Sequence, residues 1–226
     1  MIRVTGDTHG ERDRFSDKMM EGMNAWTEDD YLIVTGDFGF VFLNNEYEAS
    51  FLDYLETLPF TICFCDGNHE NFAAIYKYPV EQWKGGFIHR IRKNVIHLDR
   101  GQVFEIDGKK FFTFGGAYSR DRYLRIKDLS YWEEELPSDD DYKEANKNLK
   151  KHGYKVDYVI THTAPQSVIL VGLRRALDKH DAELTGYFDW LKGELEFKRW
   201  FFGHWHEDKS VMTKFRALWF DVEEIG

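Results

Sequence analysis

Five short apolar runs along the chain predict buried β-strands. Each run is three to five residues long and is rich in β-branched and aromatic side chains. Short runs of this composition favour strands over helices, which need longer periodic patterns. The runs cover residues 2–5, 31–35, 61–65, 158–161 and 200–202.

A helical pattern lies between the second and third runs. Apolar residues recur there at helical spacing and predict a helix whose apolar stripe faces a sheet. These residues are Tyr47, Phe51, Tyr54, Leu55 and Leu58. Pro59 follows and ends the predicted helix. The alternation of strands with helices favours an α/β core.

Further strands are predicted in the second half of the chain. Residues 102–114 indicate two strands joined at Asp107-Gly108, a dipeptide typical of tight hairpins. Residues 211–222 contain more strand-like sequence near the C-terminus. A second sheet is therefore expected.

The composition is that of one soluble globular domain. The chain has 226 residues, of which 42% are hydrophobic, so residues 1–226 can form a single domain with a sizeable core. The N-terminus lacks the pattern of a signal peptide and no run reaches the length of a membrane span, which predicts a cytoplasmic protein with no membrane partner. Cys63 and Cys65 are expected to be buried free thiols, with a C-x-C metal site as the alternative.

The net charge restricts the kinds of partner. A formal charge of −10 argues against a broad basic face for nucleic acid, because neutralisation of phosphates by Lys and Arg dominates such binding. A small phosphate pocket made positive by bound cations is still compatible with that charge. Acidic residues are concentrated in 131–152, which predicts a solvated loop leading into a helix that ends near Gly153.

Residues that commonly bind metal ions follow each of the five predicted strands. In an open α/β sheet the carboxyl ends of the strands line one crevice, so these side chains are expected to converge. Oxygen and nitrogen donors without thiolate suit manganese, iron or zinc. Seven donors are too many for one ion and predict two divalent cations, with Asp37 as the bridging carboxylate. The seven are Asp7, His9, Asp37, Asn68, His162, His204 and His206.

The strand-end sequences resemble those of a known family. GDTHG, GDFG, GNHE, THT and GHWH are similar, in order, to the five-motif signature of the calcineurin-like metallophosphoesterases, and they extend from residue 6 to residue 206. The resemblance implies an α/β fold with a two-sheet sandwich flanked by helices (αββα). Residues 115–125 are similar to a stretch in small bacterial and phage members of this superfamily.

The resemblance also implies how the ligands are divided. It places Asp7, His9 and His206 on one cation and shares Asp37 between the two. The second cation takes Asn68, His162 and His204. Manganese is the first expectation for both ions, with iron or zinc as alternatives.

The predicted activity is hydrolysis of a phosphomonoester or phosphodiester by attack of a metal-bridging hydroxide. Two divalent cations keep the site positive within an acidic protein, which favours a small anionic phosphate ester as substrate. Asp37 and His69 are the predicted catalytic residues. The resemblance places His69 near the leaving-group oxygen, where it would serve as a general acid.

Substrate contacts are predicted for Asn68, Arg122 and Arg125. Arg120, Arg122 and Arg125 could each bind phosphate through a planar guanidinium group, and the alternative is that they pair with the acidic stretch that follows them. Phe40-Val41 replaces the Asp-Arg pair of the phosphoprotein-phosphatase branch, which argues against protein-phosphatase activity.

Other functions stay open at the level of sequence. The nearest alternatives are a nuclease or a cyclic-nucleotide phosphodiesterase, so nucleic acid is expected only as a substrate. A non-catalytic protein-binding scaffold on the same fold is a third alternative. Histidines outside the motifs are expected to have packing roles. These are His89, His97, His152 and His180.

Overall fold

The computed structural model describes residues 1–226 and contains thirteen β-strands in two sheets. The strands are β1 (Ile2–Thr5), β2 (Tyr31–Val34), β3 (Thr61–Phe64), β4 (Val80–Trp83), β5 (Gly86–Arg92), β6 (Val95–Leu98), β7 (Gln102–Ile106), β8 (Lys109–Phe114), β9 (Tyr158–Thr161), β10 (Arg199–Phe202), β11 (Lys209–Val211), β12 (Phe215–Ala217) and β13 (Glu223–Ile225).

Four α-helices and one π-helical segment lie between the strands. The α-helices are α1 (Glu46–Thr57), α2 (Phe72–Ile75), α3 (Asp139–Lys151) and α4 (Ala182–Glu194). The π-helical segment is Val168–Leu173. Helix α3 begins with a capping box in which Ser138 and Asp141 satisfy each other's backbone N–H groups. No helix is long and apolar enough to cross a membrane.

Each sheet has a parallel centre and antiparallel edges. The first sheet has the order β13-β1-β2-β3-β6-β5-β4, in which β1, β2, β3 and β6 run parallel. The second has the order β11-β12-β10-β9-β8-β7, in which β12, β10, β9 and β8 run parallel. The carboxyl ends of the parallel strands therefore lie along one edge of each sheet.

Three apolar layers hold the two sheets and the helices together. The middle layer joins the sheets and includes Val4 from β1 and Ile160 from β9. One outer layer packs the first sheet against α1, through residues such as Leu55. The other packs the second sheet against α3 and α4, through residues such as Leu149 and Phe188. The predicted two-sheet sandwich flanked by helices is confirmed.

Several element predictions are confirmed in detail. All five predicted strands form, with bounds that agree to within one residue. The hairpin between β7 and β8 turns at Asp107 and Gly108, whose φ angles of +50° and +69° suit a tight two-residue turn. The helix predicted in the acidic region ends at Lys151, two residues before Gly153, which has φ of +63°.

Two other predictions are confirmed only in part. The strand-like sequence at 211–222 contains β12 (Phe215–Ala217) and the last residue of β11, Val211, whereas residues 218–222 lie outside any strand. The predicted stripe on α1 is also wrong in part: Tyr47 and Tyr54 are 60% and 42% exposed, and the buried face uses Phe51, Leu52 and Leu55. The Tyr47 ring instead stacks on the guanidinium of Arg12.

The two cysteines are buried free thiols, as predicted. Both belong to the apolar layer between the sheets. Burial raises the pKa of Cys65 well above its ordinary value, so its thiol stays protonated at neutral pH. A thiolate metal site on this pair is not supported, since their surroundings are apolar.

Candidate metal centre

Five of the seven predicted metal ligands have left-handed backbone conformations. Residues other than glycine rarely adopt positive φ, and such strained turns are concentrated at functional sites. These residues lie in the turns that follow β1, β2 and β10. The φ angles are +42° at Asp7, +47° at His9, +49° at Asp37, +66° at His204 and +49° at His206.

Asp37 occupies the centre of the converging side chains. Its Oδ1 accepts a hydrogen bond from the backbone N–H of His69 at 2.8 Å and lies 3.4 Å from Nε2 of His162. Its Oδ2 lies on the other side, 3.6 Å from Nε2 of His9. The two oxygens of one carboxylate thus face two groups of imidazoles, which is the arrangement that a bridging ligand needs.

The first group comprises Asp7, His9 and His206. The Nε2 atoms of His9 and His206 lie 3.0 Å apart. The Asp7 carboxylate completes the group and accepts the backbone N–H of His204, which lies 3.0 Å from each of its oxygens. Ring nitrogens and a carboxylate oxygen this close together form a candidate site for a cation.

The second group comprises Asn68, His162 and His204. The Asn68 Oδ1 lies 3.0 Å from Nε2 of His162 and 2.9 Å from Nδ1 of His204. The Nδ2 of Asn68 donates to the Ser119 hydroxyl at 3.1 Å, which fixes the amide with its oxygen toward the imidazoles. An amide oxygen and two imidazole nitrogens then meet beside Asp37.

The hydrogen bonds around His162 prepare one of its nitrogens for a cation. The Nδ1–H of His162 donates to the backbone carbonyl of Thr35 at 2.8 Å. Metal-binding histidines commonly donate their second ring N–H to a carbonyl or carboxylate in this way. Nε2 is then directed toward Asp37 and Asn68, so the donors present fit a divalent cation.

Burial keeps most of the imidazoles in this site neutral. It lowers the pKa of His9 to about 4 and lowers the pKa of His204 well below its usual value. The pKa values of His206 and His69 are also lowered by burial. Because only the neutral ring binds a metal ion, these shifts favour metal binding at neutral pH.

His162 and the aspartates form the charged part of the site. Burial alone would lower the pKa of His162, but Asp37 and Asp7 outweigh it and raise that pKa to about 10. Burial raises the pKa of Asp7 to about 8. Burial also opposes ionisation of Asp37, but His162 holds the pKa of that carboxyl well below its usual value. The metal-free site therefore holds a proton on His162 where a cation could replace it.

Glycines allow the motifs to approach one another closely. A Cβ atom at Gly67 would lie 2.0 Å from Oδ1 of Asp37. Gly36 has φ of +93°, and a Cβ there would lie 2.3 Å from Nδ1 of His162. Neither position can hold a larger residue without displacing a candidate ligand.

His69 lies at the edge of the site, next to Arg125. The His69 ring is in edge-to-face contact with the ring of His9, with centroids 5.2 Å apart. A terminal guanidinium nitrogen of Arg125 lies 2.8 Å from Nε2 of His69 and 2.9 Å from a carboxylate oxygen of Asp121. Arg125 is thus the predicted substrate-binding arginine that the structure brings to the metal centre.

Arg122 is directed away from this crevice. Its guanidinium lies 3.2 Å from Glu133 and 3.5 Å from the buried Glu135. Glu135 accepts the Ser119 hydroxyl at 2.6 Å, and Ser119 in turn accepts from Asn68. This geometry favours the alternative of pairing with the acidic stretch, and a substrate contact by Arg122 stays a prediction.

Several residues around the site were not anticipated from the sequence. Arg14 is buried, and its guanidinium donates to the backbone carbonyls of Asp7 and Gly6 behind the first motif. Glu70 is buried behind Asp37 and accepts the backbone N–H of Phe38 at 2.7 Å. No spacing rule identifies such residues, because their partners are chosen by tertiary packing.

Two cavities open beside the candidate ligands and share His69. The polar one, of about 370 Å³, is lined by Asp37, Asn68, His69, Arg120, Asp121, Arg175, His204, Trp205 and His206. The more apolar one, of about 260 Å³, is lined by His9, Gly10, Gly39, Phe40, Phe42, Leu43, Tyr47, Glu48 and His69.

Comparisons with known proteins found two similar solved structures and one matching family model. The chain is similar in structure to a protein of unknown function from Aquifex aeolicus, at 15% identity over 72% of this chain and 80% of that one, with a TM-score of 0.35. It is also similar to phosphopantetheinyl hydrolase from Mycobacterium tuberculosis, at 14% identity over 96% of this chain and 89% of that one, with a TM-score of 0.44. A comparison with curated proteins gave no match. The family model for calcineurin-like phosphoesterases matches residues 1–208, and the chain therefore belongs to that family.

Proposed function

We propose that this protein is a dimetal-dependent phosphoesterase that hydrolyses a small phosphomonoester or phosphodiester. The observation that supports this most strongly is the convergence of six oxygen and nitrogen donors, three on either side of the Asp37 carboxylate, beside an open polar cavity. Membership in the calcineurin-like phosphoesterase family agrees with the proposal.

The side chains on each side of Asp37 would hold one cation each. Asp7, His9 and His206 form the first set, and Asn68, His162 and His204 form the second. When bound, two divalent cations supply a hydroxide nucleophile at neutral pH and positive charge for the phosphate oxygens. The protein's own contribution is to fix the donors. The strand-end turns do this, together with the hydrogen bond that Asp7 accepts from His204 and the one that His162 donates to Thr35.

Basic residues at the polar cavity would orient the phosphate. Arg120 and Arg175 line this cavity, and Arg125 lies beside His69 at its edge. A guanidinium can bind two phosphate oxygens at once. His69 lies where the two cavities meet. Burial lowers its pKa in the free site, and a bound phosphate anion would raise that pKa again, so that the ring could donate a proton to the departing alcohol.

The apolar cavity suggests where the alcohol part of the substrate binds. Phe40, Phe42, Leu43 and Tyr47 line it on the far side of His69 from the polar cavity. A phosphate held near Asp37 would direct its ester group toward these side chains. We therefore propose a substrate with an apolar or aromatic alcohol group, since such a group would bury apolar surface there.

The direct test is Mn²⁺-stimulated hydrolysis of p-nitrophenyl phosphate and bis-p-nitrophenyl phosphate. We expect activity that EDTA abolishes, and a loss on the order of 10²-fold or more in Asp37→Asn, the scale for removing one group that stabilises a transition state. Asp107→Asn makes the same change in the exposed β7–β8 turn and should leave the rate unchanged. If neither ester is hydrolysed at saturating Mn²⁺, the proposal is contradicted.

A further inference from the structure

We propose that the protein binds a third divalent cation, of the zinc type, at His89, His97 and Asp99. The Nδ1 atoms of the two histidines lie 3.4 Å apart. Asp99 Oδ1 lies 2.7 Å from Nδ1 of His89 and 3.4 Å from Nδ1 of His97. In a tetrahedral zinc site with Zn–N distances of 2.0–2.1 Å, neighbouring ligand atoms are about 3.3 Å apart. The spacing of these three atoms is therefore close to that of three ligand atoms at the corners of one such tetrahedron.

Strand pairing places these three side chains on one face of the first sheet. β5 and β6 are antiparallel, and His89 lies directly opposite His97 in their register. Asp99 follows His97 by two residues, so its side chain projects to the same side. The site is therefore built on the sheet itself and does not depend on a loop for two of its three ligands.

A buried carboxylate holds His97 in the orientation that a metal ligand needs. The Nε2 of His97 lies 3.2 Å from Oδ1 of Asp66, and Asp66 accepts the Nε–H of Arg100 at 2.8 Å. Nε2–H can then donate to Asp66 and leave the Nδ1 lone pair for a cation. Pairing of a ligating imidazole with a carboxylate is a common feature of zinc sites.

When the two imidazoles are neutral, the residues that line the cavity at this cluster carry a net negative charge. Asp66, Asp99 and Asp141 line one cavity together with a single guanidinium, that of Arg100. Asp66 is already paired with Arg100, whereas the partners of the largely buried Asp99 are the two imidazoles. Buried charges are normally paired or bound to a metal. With neutral imidazoles, one divalent cation would balance the carboxylates. The competing account is a proton on His97, which the experiment below distinguishes.

The cavity next to the cluster has room for a fourth ligand. Its volume is about 140 Å³, and it is bounded on one side by Tyr76, whose ring centroid lies 5.4 Å from that of His89. A cavity of about 10–15 Å³ is enough for one water molecule. Three protein ligands and one water would complete a four-coordinate shell.

Counting bound Co²⁺ by equilibrium dialysis, together with its visible spectrum, tests the third site. We expect three equivalents in the wild-type protein, with the intense absorption of four-coordinate Co²⁺ from one of them. Asp99→Asn and His89→Gln should each bind two equivalents and lose that absorption. Asp107→Asn, the same change at an exposed turn, should bind three.

The outcomes separate this proposal from the proposed function. Asp37→Asn should keep the four-coordinate absorption, because it alters only the other site. Equal Co²⁺ stoichiometry in the wild type, Asp99→Asn and His89→Gln would overturn the third site and leave a protonated hydrogen-bonded cluster. Hydrolysis of phosphate esters with only two bound cations would refute the third site alone. Three bound cations without hydrolysis would refute the proposed function alone.

Discussion

At the scale of single residues, the Asp37 carboxylate lies between the two groups of candidate metal ligands. One of its oxygens lies near His162 and the other lies near His9, while the backbone N–H of His69 fixes the carboxylate. Asp37 has a left-handed conformation, and Gly67 leaves free the space beside its carboxylate and its backbone nitrogen. A change of a single atom here should therefore affect both halves of the candidate centre.

His69 provides a residue-scale test of the proposed general acid. His69→Gln should retain the metal ions yet slow an alkyl phosphate ester by about 10²-fold or more, the scale of general acid catalysis. Hydrolysis of a nitrophenyl ester should change far less, since nitrophenolate leaves without a proton. Steady-state rates on both esters measure the difference.

His152→Gln is the matched control, because His152 lies at the end of α3 away from the site. It should leave both rates unchanged. Equal slowing of the two esters by His69→Gln would remove the acid role and leave His69 with a positioning role only.

At the scale of elements, strands with continuous apolar runs were predictable and mixed ones were not. β1, β2, β3, β9 and β10 are largely buried on both faces, so apolar residues dominate their sequences and polar residues such as Arg3 and Arg199 are few. β4 and β5 contain polar residues such as His89 and Arg90, and the register shifts between Arg90 and Arg92. Their pattern follows no single period, and the sequence alone therefore did not predict them.

The candidate ligands were predictable for the same reason. Each follows an apolar strand whose position the sequence identified, and parallel strands bring their carboxyl ends together. Arg14, Ser119 and Glu135 support those ligands through backbone carbonyls or through other side chains. Such contacts depend on how distant loops pack, which a single sequence does not encode in its spacing.

The turn that carries Gly67 gives an element-scale prediction. Gly67→Ala would bring a Cβ to 2.0 Å from Oδ1 of Asp37, so the carboxylate or the turn must move. We expect a loss of stability of about 1–3 kcal/mol. Misplacing a catalytic group also lowers kcat/KM on the order of 10²-fold. Thermal unfolding and initial rates measure the two effects.

Gly186→Ala provides the same substitution in a place without such contacts. Gly186 lies inside α4, and a Cβ there meets nothing within 4 Å. Alanine should stabilise the helix by up to about 1 kcal/mol and leave the activity unaltered. If Gly67→Ala behaved like Gly186→Ala, the close packing around Asp37 would have no functional role.

At the scale of the whole molecule, the protein is acidic, and under the proposed function bound cations would supply most of the positive charge that attracts a phosphate. The formal net charge is −10, so attraction for phosphate has to be local. Without cations, the buried charges depend on pH. The pKa of His162 is about 10 in the folded protein, against about 6.5 when unfolded. The stabilisation that comes from its pairing with Asp37 is therefore fully present below about pH 6.5 and is lost as pH rises toward about 10.

Ionisation of Asp7 also lowers the stability of the metal-free fold as pH rises. Its pKa of about 8 in the folded protein lies above the unfolded value of about 4, so unfolding becomes more favourable as pH rises between these values. We expect the Tm of the metal-free protein in EDTA to fall between about pH 6 and about pH 9. Saturating Mn²⁺ should reduce that fall, because a cation replaces the proton on His162. Parallel falls with and without Mn²⁺ would contradict this view of the site.

The central claim is that two cations lie on either side of Asp37. Anomalous diffraction from crystals grown with Mn²⁺ measures this directly. We predict two peaks about 3.5–4 Å apart. One peak should contact Asp7, His9 and His206, and the other should contact Asn68, His162 and His204, with Asp37 reaching both. A single peak at this site, or two peaks that do not share Asp37, would contradict the account.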